Sequence, residues 1–244
     1  MTYIDIDFVG MSTAELGTAT LIKLRNRTAK MKTLVKSLIA LAAAAAISGS
    51  AYAIPTLVIT DGITTQTITD ETPGDGAFLT PGAVLFSGSI GSWVITVNNG
   101  TTKPLIGNAT FPDLDLSFLA VSSGAGTLSI TFSDDGFTAN SGFTSKIGGT
   151  VGSGGSVSSA LYLNGNAISN AGPFAAGAFA NTANGNVSLG ANDSLALGVT
   201  LTANGAGVVS SGDYNVTVPD GGTTALLVGL GLVGMSVAAR RKKA

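Results

Sequence analysis

Residues 113–120, DLDLSFLA, and residues 127–132, TLSITF, carry the pattern that decides the fold class. Leu114, Leu116, Phe118 and Ala120 alternate with Asp115, Ser117 and Leu119; Leu128, Ile130 and Phe132 alternate with Ser129 and Thr131. A period of two puts one set on each face of a pleated strand, so each run predicts a half-buried strand with one wet face. Working outward, Leu195, Leu197, Val199 and Leu201 repeat the pattern, and SWVITVN predicts Trp93, Ile95 and Val97 on one face. Near the start, LVIT (57–60) and ITTQTIT (63–69) flank Asp61-Gly62, a hairpin signal.

Turn signals separate these runs: Pro73-Gly74-Asp75-Gly76, Pro81-Gly82, Asn98-Asn99-Gly100, Asp134-Asp135-Gly136, Gly148-Gly149, Asn164-Gly165, Asn184-Gly185 and Asn204-Gly205. Short alternating runs in that rhythm predict an all-β, sandwich-like ectodomain of roughly 10 to 12 strands. A β-solenoid is the rival architecture, but no fixed repeat length supports it. Ala171 to Ala183, AGPFAAGAFANTA, reads equally as a short helix or a glycine-loosened strand.

Two segments flank this body, residues 54–217. Residues 31–53 have a basic start (Lys32, Lys36), an apolar stretch SLIALAAAAAI, and then Ala51-Tyr52-Ala53, an A-x-A site. That is the order of a secretory signal peptide, with cleavage by signal peptidase between Ala53 and Ile54. Residues 1–30 mix Asp5, Asp7 and Glu15 with four cations, which suits neither a compact n-region nor a domain. They read as a mis-started or extended n-region, with Met31 the alternative start. At the other end, Val218-Pro219-Asp220-Gly221-Gly222 forms a turn, residues 223–239 carry no charge, and Arg240, Arg241, Lys242 and Lys243 follow. Seventeen uncharged residues make a helix of about 26 Å, short for a bilayer core of about 30 Å but sufficient. The basic tail stops in the cytoplasm, which leaves the body outside the inner membrane. The residues alone allow a permanent anchor or a processed sorting signal.

VPDGG, the Gly-rich apolar stretch and RRKK, in that order, resemble the PEP-CTERM class of exosortase sorting signals, in particular its VPDSG-CTERM variant. Gly221 stands where that variant has Ser, and Asp220 where the main class has Glu-Pro. Residues 86–138 are similar to an ectodomain recurrent among PEP-CTERM proteins; that likeness implies no site. The resemblance implies an exosortase-type enzyme as processing partner, release to the cell surface or extracellular matrix, and an association with exopolysaccharide.

Composition narrows what the body can do. It holds ten acids against Lys103 and Lys146 alone, a net charge of −8, although the whole chain carries −2. Without Arg it cannot neutralise a phosphate backbone, which excludes nucleic acid as a partner. The chain has no Cys and no His. Ser-His-Asp and Cys-His nucleophile systems and imidazole or thiolate zinc sites are therefore absent, and no cofactor is expected. Asp113 with Asp115, and Asp134 with Asp135, could offer oxygen ligands to calcium, but without the spacing of a Ca²⁺ loop. The same carboxylates are the only candidates for a glycan hydrolase. A carbohydrate-binding, lectin-like module is the stronger alternative, with Trp93 its one stacking ring. The expectation is a structural or adhesive surface protein without enzymatic activity.

Overall fold

The computed structural model describes residues 54–219. The glycine-rich body is all-β, with no helix among the described residues. Ten strands form it: β1 (Thr56–Thr60), β2 (Thr65–Thr69), β3 (Ala83–Ile90), β4 (Trp93–Thr101), β5 (Asp113–Ser122), β6 (Gly126–Asp134), β7 (Asn140–Leu163), β8 (Asn166–Ser188), β9 (Leu195–Ala203) and β10 (Val209–Thr217). They join in one antiparallel sheet in the order β2-β1-β6-β9-β7-β10-β5-β4-β3, with β8 on the other edge of β7. A solenoid would stack successive coils in parallel; here every pairing is antiparallel.

The sheet is folded because β7 is long enough, at 24 residues, to serve two neighbours along one edge. Thr144 to Val151 pair with β10, and Gly155 to Leu163 pair with β9. Between them the register against β8 breaks after Val151, and Gly154 takes φ = 80°, a backbone setting that a side chain would resist. One limb therefore runs β2-β1-β6-β9 and the other β3-β4-β5-β10, with β7 and β8 passing through both. Leu57, Ile59, Leu128, Ile130, Phe132 and Leu197 from the first limb share a single core with Trp93, Ile95, Leu114, Leu116 and Val216 from the second. At the far ends β2 and β3 approach each other.

The alternation in β5 and β6 is realised residue by residue: Leu114, Leu116, Phe118 and Ala120 are buried, as are Leu128, Ile130 and Phe132. Burial of each of the Leu, Ile and Phe side chains contributes about 1.5–3 kcal/mol. The hairpin between β7 and β8 turns through Asn164 (φ 52°) and Gly165 (φ 77°), the positive-φ pair of a two-residue turn. The hairpin between β1 and β2 closes through four residues, 61–64, with the Asp61 carboxylate accepting from the Ile63 and Thr64 amides.

Ala171 to Ala183, open between helix and loosened strand, is strand, part of β8. Other expectations are corrected. Asn98-Asn99-Gly100 does not turn; it lies inside β4, as Gly148-Gly149 lies inside β7 and Asn184-Gly185 inside β8. In two of these the glycine makes room for a ring. A Cβ on Gly100 would come within 2.2 Å of the Phe132 side chain on the facing limb, and one on Gly185 within 2.5 Å of Phe143 on the neighbouring strand. The even alternation read for β4 also fails after Ile95. A bulge there pairs Ile95 with Ala120 and Val97 with Leu119, and Asn98 and Gly100 take the buried positions.

Gly100→Ala is therefore expected to cost about 1–3 kcal/mol, because the Phe132 ring is enclosed and cannot swing aside. Gly205→Ala, in a turn with open space around it, is expected to stay within about 0.5 kcal/mol of the parent. Urea unfolding of the two variants checks this; equal losses would mean that Gly100 is not a packing position.

Candidate functional site

The four acidic residues singled out in the sequence fall into two separate places. Asp113 and Asp115 lie on the outward face of β5, side by side along one strand rather than on opposing walls. Asn215 on β10 donates through Nδ2 to Asp113 Oδ1 at 2.9 Å, and Ser117 Oγ donates to Asp213 Oδ1 at 2.7 Å. Asp115 sits among them, paired across the ladder with Asn215. Partial burial, then the charges of Asp213 and Asp113, push its carboxyl up to about 6.

Asp134 follows Leu128, Ile130 and Phe132 on the inward face of β6 and is almost fully enclosed. Lys103, just past the end of β4, reaches it through Nζ at 2.6 Å, and Thr102 Oγ1 donates to the same oxygen at 2.9 Å. Lys103 Nζ also donates to the Asp135 carbonyl and lies 4.0 Å from the centre of the Phe137 ring. Burial raises the Asp134 carboxyl, and the hydrogen bond and charge of Lys103 oppose that rise. Asp134-Asp135-Gly136 thus anchors the one buried cation of the described body and joins the ends of β4 and β6. Among the described residues no three acidic side chains are placed together to hold a metal ion.

Trp93 is fully buried, so its ring faces the core and offers no stacking platform. Sequence reasoning missed a pocket of about 540 Å³ beside the start of β1 and the end of β2. Pro55, Asp70, Glu71, Pro81 and Pro104 line it, with Ile54 at its edge. Asp70 is 6 % exposed. Its Oδ2 accepts from the Gly82 amide at 2.7 Å, whereas its Oδ1 is buried without a hydrogen-bond partner among the described residues. Burial pushes this carboxyl up, with the Gly82 hydrogen bond acting against it. The only sequence signal was an acidic pair, Asp70-Glu71, ahead of Pro81-Gly82; nothing in the spacing says that one oxygen stays unpaired.

The chain leaves the sheet at Val218. Its side chain is buried and its amide donates to the Pro112 carbonyl at 2.9 Å, while Pro219 is exposed. Asp220, Gly221, Gly222, the apolar stretch 223–239 and Arg240 to Lys243 lie outside the described residues, as do Ala51 and Ala53 and the whole of 1–53.

No family model and no curated protein matches the chain. Solved structures do align. A structure of TmCBM61 in complex with β-1,4-galactotriose is 6% identical, covers 54% of this chain and 92% of its own, and has a TM-score of 0.33. A family 35 carbohydrate-binding module from Clostridium thermocellum is 10% identical over 54% of this chain and 96% of its own, with a TM-score of 0.28. The enzymatically active domain of tailspike protein 4 from bacteriophage CBA120 is 13% identical over 59% of this chain and 20% of its own, with a TM-score of 0.29. Likenesses this distant assign neither a ligand nor an activity.

Two outcomes test the electrostatics. The folded chain holds the Asp115 proton more tightly than an unfolded chain does, so Asp115 favours folding below its unfolded pKa and loses that contribution as pH rises through about 6. Asp115→Asn should stabilise the body at pH 7 by about 1–2 kcal/mol and weaken the fall in stability between pH 5 and pH 7. Asp70 and Asp134, also raised, leave a residual slope of the same sign. An unchanged slope in urea midpoints at the two pH values would remove Asp115 from the account. Lys103→Met strands a buried carboxylate and should cost about 3–5 kcal/mol at pH 7, with a smaller loss at pH 5, where Asp134 protonates more readily.

Proposed function

We propose that this chain is an exported bacterial surface protein, a structural or adhesive component of the cell envelope or extracellular matrix, sorted by an exosortase-type enzyme through VPDGG. The observation that carries the reading is where the described strands begin and end. All ten strands of the described residues lie between Thr56 and Thr217, after the A-x-A site and before the sorting motif. A sandwich-like body placed in this way keeps all ten when both flanking segments are removed.

The exit geometry supports one detail of processing. Val218 is held by the core and by Pro112, so the part of the motif open to an enzyme starts at Pro219. Cleavage breaks a peptide bond at or beyond Pro219, and water or an acceptor amine takes the acyl group. The released body keeps Val218 and the whole sheet. The inner membrane holds the chain until that step; signal peptidase acts at the other end. An acidic body with no His or Cys, whose candidate carboxylates do not face each other, suits a non-enzymatic role beside exopolysaccharide.

A carbohydrate-binding role is the second reading. The observation favouring it is the outward row of hydrogen-bonding groups on β5 and β10: Asp113, Asp115, Ser117, Asp213 and Asn215. With Trp93 in the core, a sugar there would be held by hydrogen bonds rather than by ring stacking.

The intact mass of the mature protein, from cells with and without a functional exosortase, tests the sorting reading. The expected chain starts at Ile54 and ends between Pro219 and Thr223 only where the enzyme is present. A chain still carrying Arg240 to Ala244 in both strains would make the apolar stretch a permanent anchor and end the sorting proposal.

A further inference from the structure

The Asp70 pocket has a buried acceptor in need of a cation, and the export reading supplies one. We propose that this pocket is the seat of the mature chain's own α-ammonium group, carried by Ile54 once the signal peptide is removed. The inference rests on the cleavage between Ala53 and Ile54 put forward above, and it assigns that event a structural consequence.

The placement follows from the register. β1 and β2 pair Thr56 with Thr69, and the ladder continues one step further: the Asp70 amide donates to the Pro55 carbonyl at 3.0 Å. Pro55 and Asp70 are both buried and both line the pocket. Ile54 is one residue beyond, about 3.3 Å along the strand, and lines the same pocket while remaining 63% exposed. Ile54 and Asp70 thus line one pocket, one ladder step apart.

The chemistry matches. Asp70 Oδ1 is a buried carboxylate oxygen with no donor at hydrogen-bond distance among the described residues, the neighbouring Glu71 amide exerting only a weak pull on the carboxyl. The exposed Glu71 adds a second negative charge at the rim. Lys103 also lines the pocket, but its ammonium is already committed to Asp134 and to the Asp135 carbonyl. In the precursor the Ile54 nitrogen is an ordinary amide with a single N–H. Hydrolysis adds water across the Ala53–Ile54 bond, leaving a carboxylate on Ala53 and an amine on Ile54 that takes up a proton. That ammonium carries three donors and a full charge, and a charge-assisted hydrogen bond to Asp70 satisfies the orphan oxygen. Leader removal thus fastens the first strand of the sheet, and the mature body is more stable than the same body with residues ahead of Ile54.

The test compares the chain Ile54–Ala244, generated with Ile54 as its first residue by tag cleavage in vitro, with the same chain bearing Gly-Ser ahead of Ile54. The extension moves the ammonium about 7 Å away. The expected result is a melting midpoint higher by about 4 °C or more for the Ile54-first chain, with that difference lost in the Asp70→Asn background. Equal midpoints, or a difference that survives Asp70→Asn, would overturn the pairing. If Asp70→Asn does not fold, the acylation rate of the α-amine, read on the N-terminal peptide by mass spectrometry, decides. At least tenfold slower acylation of Ile54 than of the extended terminus is expected, and equal rates overturn the proposal. Because these chains are made in vitro, their failure leaves the export reading standing, and a mature chain from cells that does not begin at Ile54 would defeat the export reading alone.

Discussion

The fold depends on β7 pairing with two different strands along one edge. Its first half holds β10 and its second half holds β9, so the two limbs are tied to one continuous piece of backbone and cannot drift apart. Face-to-face burial does the rest. A chain of this composition has few large side chains, and the core works because rings sit over glycines: Phe132 over Gly100 across the limbs, Phe143 over Gly185 across the ladder. Small residues that look like loop formers here give the backbone the closeness that bulky residues give elsewhere.

The second fastening is ionic. With no cysteine the body must hold its layers by means other than disulfides, and Lys103 with Asp134 joins the end of β4 in one limb to the end of β6 in the other. A buried pair of this kind contributes little by Coulomb attraction once desolvation is counted, but it penalises any arrangement that separates the partners. Thr102, the Asp135 carbonyl and the Phe137 ring complete the shell, so the charge is enclosed in one geometry only. The body's other cation, Lys146, is exposed on β7. The strongly negative surface and the single buried lysine are two uses of the same sparse supply of basic residues.

How much of this was legible in the sequence depends on where information lay. The alternating apolar runs specified β5, β6 and β9 because one buried face fixes side-chain parity at every second residue. Asn164-Gly165 announced its own turn. Glycine pairs misled because a glycine required for close approach and one required for a turn look alike in one dimension. The β4 bulge was invisible for a related reason: an extra residue changes parity without changing composition. The Asp134-Asp135 pair looked like a loop ligand set, and its partner Lys103 lies 31 residues away, a distance that only the folded chain closes. The Asp70 pocket was illegible because its defining feature is an absent donor.

The two ends of the body draw these points together. A terminal strand at a sheet edge would present unpaired backbone to any neighbour and fray once its flanking segment was cut away. Neither end strand is in that position. β1 lies between β2 and β6, and β10 lies between β7 and β5, so each is paired on both sides. The edges are taken instead by β2, β3 and β8. The first and last described strands thus take their pairing on both sides from within residues 54–219. The burial of Val218 and the ladder bond between Asp70 and Pro55 extend that protection one residue past β10 and one before β1. The export and sorting proposed above accord with this topology, since neither the first nor the last described strand relies on its flanking segment for pairing.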